Sequence, residues 1–426
     1  MSLYAELLHK ITNKKVVIWG ARMTGLGFAR FLKSNTNSQL LAFIDSDTSL
    51  HNKKINGTAI ASIETLKKLK KKYPDLLIVI AVSLKESEIT AILEKIGFSQ
   101  KDYLVYSDYA KDFYTIDVVG SCNLKCPSCA HGASGMESPM GLMGYEDFER
   151  VTTKMIQESE VLSHVSLYSW GEPLLHHKLP EMIGHLHKKG IAVAISSNLS
   201  IENAKQIEKV IKSAPDYFKV SLSGFYPEAY NDTHTGGDIR LVKSNLYKLR
   251  YLIDKYNVST LVDVNYHLYN NNCEKNLQKM QELCDELDFT LSSTYSLVMP
   301  LERVIAHCEG HTSQEVLELD NKLLVTMDEG IRASEGIQLE ECPFRENQVN
   351  INWDLSVPVC CTVYNRNPDT VLTPNYLQTS LSAITQKKYQ VSLCSKCMAY
   401  GLPQYNMGFN KEKWREIAQS KESFDV

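Results

Sequence analysis

Short apolar runs alternate with amphipathic stretches along most of this chain, and that rhythm constrains its fold class more than any other feature. Between residues 111 and 300 the pattern predicts strands near 114–119, 163–168, 191–196, 217–222, 261–267 and 289–295. Helices are predicted between them near 145–158, 177–189, 202–213, 226–232, 240–256 and 274–287. A strand, a helix and a second strand in series close most readily as a right-handed parallel unit. Repetition of that unit predicts a partial (β/α)6 barrel with its chemistry at the C-terminal ends of the strands.

Residues 1–110 carry a similar alternation. Lys15-Val-Val-Ile-Trp-Gly20, Leu40-Leu-Ala-Phe-Ile-Asp45 and Leu76–Val82 read as buried parallel strands, with helices to about Leu32, over 62–72 and over 86–96. The expected fold there is a doubly wound, Rossmann-like α/β domain. Residues 301–426 lose the rhythm: a helix near 314–328 is expected, followed by an irregular stretch rich in Cys, Pro and Asn. A segment with so few periodic apolar residues takes its order from elsewhere, and a metal cluster can supply it. The expected domains are therefore 1–110, 111–300 and 301–426.

Composition excludes some function classes. The net charge of −4 over 426 residues does not suit a phosphate-backbone binder, so no nucleic-acid partner is expected. The basic run Lys67, Lys68, Lys70, Lys71 and Lys72 reads as a solvated helix face. No apolar run reaches the ~18 residues of a membrane helix, and the first residues show no signal-peptide core. A cytoplasmic protein without a membrane partner is expected, and its eleven cysteines are then expected to be reduced.

Those cysteines are unevenly spread. None precedes residue 122, three fall within 122–129, three are scattered at 273, 284 and 308, and five lie within 342–397. Two groups so far apart suggest two metal sites. In Gly120-Ser-Cys122-Asn-Leu-Lys-Cys126-Pro-Ser-Cys129, three thiols share one loop after a predicted strand. Thiolates suit iron–sulfur clusters and zinc. In a four-iron cubane, three cysteines leave one iron open to bind something else.

The spacing C-x3-C-x2-C resembles the radical SAM superfamily. The resemblance implies a [4Fe-4S] cluster on Cys122, Cys126 and Cys129, with S-adenosylmethionine (SAM) chelated at the open iron and cleaved to a 5′-deoxyadenosyl radical. Tyr168-Ser-Trp170-Gly171-Glu172-Pro173 resembles the family's GGEP-type motif, with Trp170 for the first glycine. By that resemblance Gly171, Glu172 and Pro173 hold the SAM amino group. Ser197 and Asn198 resemble a segment that contacts the SAM ribose and carboxylate. Ser221 and Ser223 resemble the family's S-x-D-G segment, with Ser223 for the acidic residue. Where relatives often carry an adenine-stacking aromatic, this chain has Ser128, so other residues must pack the adenine. Tyr230-Asn-Asp-Thr-His234-Thr-Gly236-Gly237 and Asn245 also look like the superfamily, without assigned roles.

Cys342, Asp354-Leu-Ser-Val-Pro-Val-Cys360-Cys361 and Cys394-Ser-Lys-Cys397 resemble the SPASM/Twitch extension. The shorter Twitch form implies one auxiliary [4Fe-4S] cluster, with Cys342, Cys360, Cys394 and Cys397 as its four ligands. Cys360 fits the family's D-G-x-V-x-x-C pattern better than Cys361 does. A four-thiolate structural zinc site is the competing reading.

Gly20-Ala-Arg-Met-Thr-Gly25-Leu-Gly27, with Asp45 and Asp47 about twenty residues on, is placed like a dinucleotide fingerprint but lacks its spacing. The region resembles small Rossmann-like domains found beside sugar-nucleotide enzymes. Two readings stand: a phosphate or nucleotide site, or a packing domain whose glycines serve tight turns. Cys273, Cys284, Cys308 and Cys361 are surplus to the clusters. Cys308 and Cys361, in irregular segments, are the candidate hydrogen-atom donors that the resemblance to radical SAM epimerases implies, and Cys284 reads as core.

The expected function is hydrogen abstraction from a small polar substrate, carbohydrate or sugar-nucleotide-like, with flavodoxin or ferredoxin as reductant. The outcome would be epimerisation, dehydrogenation or a related reaction. A peptide-modifying maturase and a non-catalytic zinc-stabilised scaffold are the alternatives.

Overall fold

The computed structural model describes residues 1–51, 53–136, 140–335, 339–408 and 411–421. The N-terminal sheet contains β1 (Lys15–Trp19), β2 (Gln39–Ile44), β3 (Lys54–Ile55), β4 (Thr58–Ala61), β5 (Leu77–Ile80) and β6 (Tyr103–Val105). Its spatial order is β3-β4-β2-β1-β5-β6, parallel except for the β3–β4 hairpin. Alternate side chains of β1 point to opposite faces. Val16 and Ile18 meet helices Leu3–Ile11 and Met23–Asn35, while Val17 and Trp19 meet helices Glu64–Lys72 and Glu86–Lys95. Helices therefore cover both faces of a largely parallel sheet.

The second sheet comprises β7 (Phe113–Asp117), β8 (His164–Ser166), β9 (Ala192–Ser197), β10 (Tyr217–Leu222), β11 (Leu261–Leu268), β12 (Thr290–Tyr295) and β13 (Gln348–Asn352). They run in the order β12-β11-β10-β9-β8-β7-β13 with every pairing parallel. Six of these strands lie where the alternation predicts them. The seventh comes from the C-terminal region, which was expected to be irregular. Val349 and Ile351 of β13 enter the core, and Gln348, Asn350 and Asn352 fill the other face, also buried. That polar inner face hides the strand from a search for apolar runs.

Two further expectations for residues 301–426 are corrected. The helix expected near 314–328 is two helices, Gln314–Asp320 and Met327–Ser334. Thr326 and Glu329 form a capping box that starts the second one. The remainder is not irregular: β14 (Val357–Pro358) and β15 (Val371–Thr373) form a hairpin, and helices span Leu381–Lys388, Ser392–Ala399, Leu402–Met407 and Lys411–Ser420. Among the described residues no helix is long and apolar enough to cross a membrane.

The N-terminal domain packs against the barrel sheet through helix Met23–Asn35. Leu26, Phe28 and Phe31 share one core with Val161, Ala194 and Tyr217. A Cβ on Gly27 would stand 2.0 Å from the Ser163 carbonyl oxygen, so only glycine permits this approach. Charged contacts pin the helix. Arg30 donates to Asp216 at 2.7 and 2.9 Å. Arg22 donates to Asp47 and Ser292 at 2.7 Å and to the buried Asp263.

Asp263 is buried but Arg22 is about a third exposed, so water screens part of the charge left behind, and removing Arg22 should cost about 1–3 kcal/mol. Arg22→Met should lower the unfolding free energy, read by denaturant titration, by an amount of that order. Asp263→Asn combined with Arg22→Met should recover part of the loss.

Candidate functional site

Every strand of the barrel sheet runs the same way, so the loops after β7, β8, β9 and β10 gather at one edge. The loop after β7 carries Cys122, Cys126 and Cys129. Its base is pinched by a bridge between Val119 and Leu142 and by the Gly120 N–H donating to the Gly141 carbonyl at 2.9 Å. All three cysteines are free thiols of intermediate exposure. Burial pushes the Cys122 thiol up to about 12, with Glu172 and Cys129 adding to the shift. Burial likewise raises Cys126, with further contributions from Cys129 and Cys122. Buried thiols that oppose one another's ionisation suit a cationic metal centre, which stabilises the thiolates. The donor set and its mutual proximity therefore fit an iron–sulfur cluster.

The turn after β8 is built against this loop. A Cβ on Gly171 would lie 1.7 Å from the Val119 carbonyl oxygen. The Glu172 N–H donates to the Ser121 carbonyl at 2.9 Å. Glu172 is fully buried, and its carboxylate accepts from the N–H of Leu174 at 3.0 Å and of Asn198 at 2.9 Å. It thus ties the β8 turn to the end of β9. Burial raises Glu172 to about 7. Asp117, at the end of β7, accepts from the N–H groups of Trp170 and Gly171 at 3.1 and 3.2 Å, and burial raises it to about 6.

Asn198 reaches the cluster loop directly: its amide nitrogen lies 3.7 Å from Cys122 Sγ and donates to Asn123 at 3.0 Å. Ser197 turns inward and accepts from the Leu199 N–H at 2.9 Å. Ser221 pairs with His267 at 3.1 Å. Ser223 is completely buried, its hydroxyl engaged with Thr233 and with His234 at 2.9 Å. Ser223 thereby supports the Tyr230–Gly237 segment. That segment holds the cluster loop through Lys125 N–H and the Thr235 carbonyl, 2.9 Å apart.

A second cavity, of about 30 Å³, is lined by Cys342, Cys360, Cys394 and Cys397. Burial pushes Cys394 up to about 11, with the Cys360 charge adding to it. Two cations face these thiols: Arg345, beside Cys394, and the fully buried Lys388, near Cys360, Cys394 and Cys342. Four thiols with compensating cations fit a cluster or a metal held entirely by protein ligands. The Cys361 thiol is in hydrogen-bonding contact with that of Cys360. Cys361 lines a separate cavity of about 510 Å³ between the barrel sheet and the N-terminal domain. Among the described residues, no three His, Cys, Asp or Glu side chains close to single-ion geometry.

Residues 116–318 match the family model described as the Radical SAM superfamily. That stretch, a little under half of the chain, is similar to a radical SAM domain. Residues 12–104 match a second model, described as C2185-like, N-terminal. A probable GTP 3',8-cyclase from Methanococcus maripaludis is 28% identical over 136 residues, covering 32% of this chain and 44% of the relative. The Fe-coproporphyrin III synthase of Methanosarcina barkeri is 28% identical over 121 residues, covering 28% and 29%. The chain thus spans less than half the length of these curated relatives. Among solved structures, BtrN in complex with AdoMet and 2-DOIA aligns with a TM-score of 0.39 at 15% identity, covering 68% of this chain and 87% of BtrN. Streptococcus suis SuiB bound to S-adenosylmethionine aligns with a TM-score of 0.45 at 13% identity, covering 75% and 79%.

The radical SAM domain also recruits residues that no motif marks. Arg303 donates to the carbonyl oxygens of Pro127 and Met299 at 2.9 Å, bracing the cluster loop. Tyr269 donates to Ser128 at 3.0 Å, at the position where relatives often carry an aromatic. Tyr364 lies edge-on to both Trp170 and His131, with ring centroids 5.4 and 5.6 Å away. In sequence these are an ordinary helical arginine and isolated tyrosines, and only the folded chain brings them to the site.

The raised Glu172 gives a signed expectation. The folded chain binds a proton there that the unfolded chain releases near 4.5, so this contribution to stability is present at low pH and is lost as pH rises toward about 7. Glu172→Gln should flatten the pH dependence of the unfolding free energy across that window, as measured by denaturant titration.

Proposed function

We propose that this chain is an enzyme that reductively cleaves S-adenosylmethionine and abstracts a hydrogen atom from a small polar, carbohydrate-like substrate. The observation that carries the reading is the convergence of the Cys122, Cys126 and Cys129 thiols beside the Gly171–Asn198 turns, within the matched domain. When bound, a [4Fe-4S] cluster with SAM at its open iron would supply the carbon radical. The chain's own part is to hold three thiolates, to keep the cluster loop shut at Val119–Leu142, and to exclude water with Trp170, Tyr364 and His131.

Cys342, Cys360, Cys394 and Cys397 are assigned to one auxiliary iron–sulfur cluster, an electron relay or structural support. The reductant is a flavodoxin or ferredoxin. Cys361 rather than Cys308 is the candidate hydrogen donor, because Cys361 lines the large cavity and Cys308 ends helix Leu301–Cys308 without lining it. In that role the S–H bond of Cys361 breaks as a substrate C–H bond forms, and one electron and one proton from the reductant restore the thiol. The outcome is then epimerisation.

Anaerobically prepared protein incubated with SAM and dithionite should form 5′-deoxyadenosine, and Cys126→Ala should abolish it. Zinc without iron and sulfide would favour the scaffold reading instead. Cys361→Ala should retain 5′-deoxyadenosine formation but lose solvent deuterium from the product. Retained deuterium incorporation in that variant would remove Cys361 from this role.

A further inference from the structure

The cavity of about 510 Å³ is walled by both domains. Its volume falls within the range typical of small-molecule sites. His164, Ser166 and Tyr168 follow one another at alternate positions and all line it, as a strand of period two and its extension require. The same stretch leads into the Trp170–Pro173 turn beside the cluster cysteines. Thr24, Ser83 and Ser107 come from the N-terminal domain, at the end of the parallel sheet where doubly wound folds open a crevice.

Two polar groups of the lining are nearly buried. Ser166 is only 7% exposed, and it lines the cavity. His164, 8% exposed, lines the cavity as well and pairs Nδ1 with Ser163 Oγ at 3.2 Å. A few polar groups placed in the wall of a cavity fix the orientation of a small ligand by hydrogen bonding. Burial lowers His164 to about 4, so the ring is neutral near pH 7 and offers hydrogen bonding without charge.

The charge of the lining argues against a phosphorylated handle. Glu86 and Lys111 cancel formally, and no arginine lines the cavity. Phosphate recognition calls for concentrated cationic or backbone donors. Here Arg22 is committed to Asp47 and Asp263, and the Ala21 N–H donates to Asp45 at 2.8 Å. Gly25 is needed for contact with the Gly20 carbonyl, 1.8 Å from its would-be Cβ, so that glycine serves packing. Tyr168, Phe113 and Phe344 add aromatic surface of the kind that takes the C–H faces of a saturated ring.

We propose that this cavity binds an uncharged, hydroxyl-rich saturated ring of monosaccharide size, and that the N-terminal domain serves as a wall of that site rather than as a nucleotide-binding module. The proposal rests on the SAM-cleaving reading and narrows its substrate class.

The test is saturation-transfer NMR on the full-length holoprotein with D-glucose, N-acetyl-D-glucosamine, myo-inositol, UMP and UDP-N-acetylglucosamine as probes. At least one of the three uncharged rings should bind. Ser166→Trp, which fills the cavity, should weaken that binding at least tenfold. Ser166→Ala, which preserves the volume and guards against misfolding as the cause, should weaken it by a smaller factor. Binding confined to UMP or UDP-N-acetylglucosamine, ring binding indifferent to Ser166→Trp, or no ring binding at all would overturn the proposal. Formation of 5′-deoxyadenosine by the unsubstituted protein is scored separately, so its failure would sink the SAM-cleaving reading without deciding what the cavity binds.

Discussion

The parallel alignment of the seven-stranded sheet is the constraint on which the site depends. Parallel strands deliver all their C-terminal ends to one edge, and that edge gathers the cluster loop, the Gly171–Pro173 turn and the Ser197–Asn198 turn. The turns then bind one another through buried carboxylates. Asp117 gathers the N–H groups of Trp170 and Gly171, and Glu172 gathers those of Leu174 and Asn198. Both acids rise in pKa for this service, because burial disfavours their charge more than the N–H groups restore it. The three cysteines therefore sit on a framework already fastened before any cofactor arrives.

The N-terminal domain changes the barrel as well as accompanying it. Helix Met23–Asn35 covers part of the sheet around β8 and β9, and Gly27 lets the two backbones meet. What remains between the domains is the hydroxyl-lined cavity. Gly20, Gly25 and Gly27 are committed to close packing, which explains why their spacing departs from a phosphate-binding fingerprint.

The C-terminal region is joined to the barrel at several levels. Its strand β13 extends the sheet beside β7. Glu302 accepts from the N–H groups of Tyr364 and Asn365 at 3.0 and 2.8 Å, fastening the helix after the barrel to the loop beyond Cys361. The adjacent Cys360 and Cys361, whose thiols are in contact, line different spaces: the four-cysteine cavity and the interdomain cavity.

Much of this was legible in the order of residues. Several of the barrel strands show because apolar residues recur at period two and enter the core, as Val220 and Leu222 or Val262 and Val264 do. The two cysteine groups show because thiols at short spacing in a loop carry a chemical meaning independent of the fold. Strand β13 was not legible, since its Gln and Asn face is buried against other polar groups of the sheet. Neither were Arg303, Tyr269 and Tyr364, nor the inward commitment of Glu172 and Ser223. Local pattern records which face of an element is apolar, and so it determined the strands, the helices and the two thiol sets. Which surfaces meet is a matter of long-range packing and electrostatic pairing, as between Arg22 and Asp263, and that alone decided where the domains join and what cavity they leave.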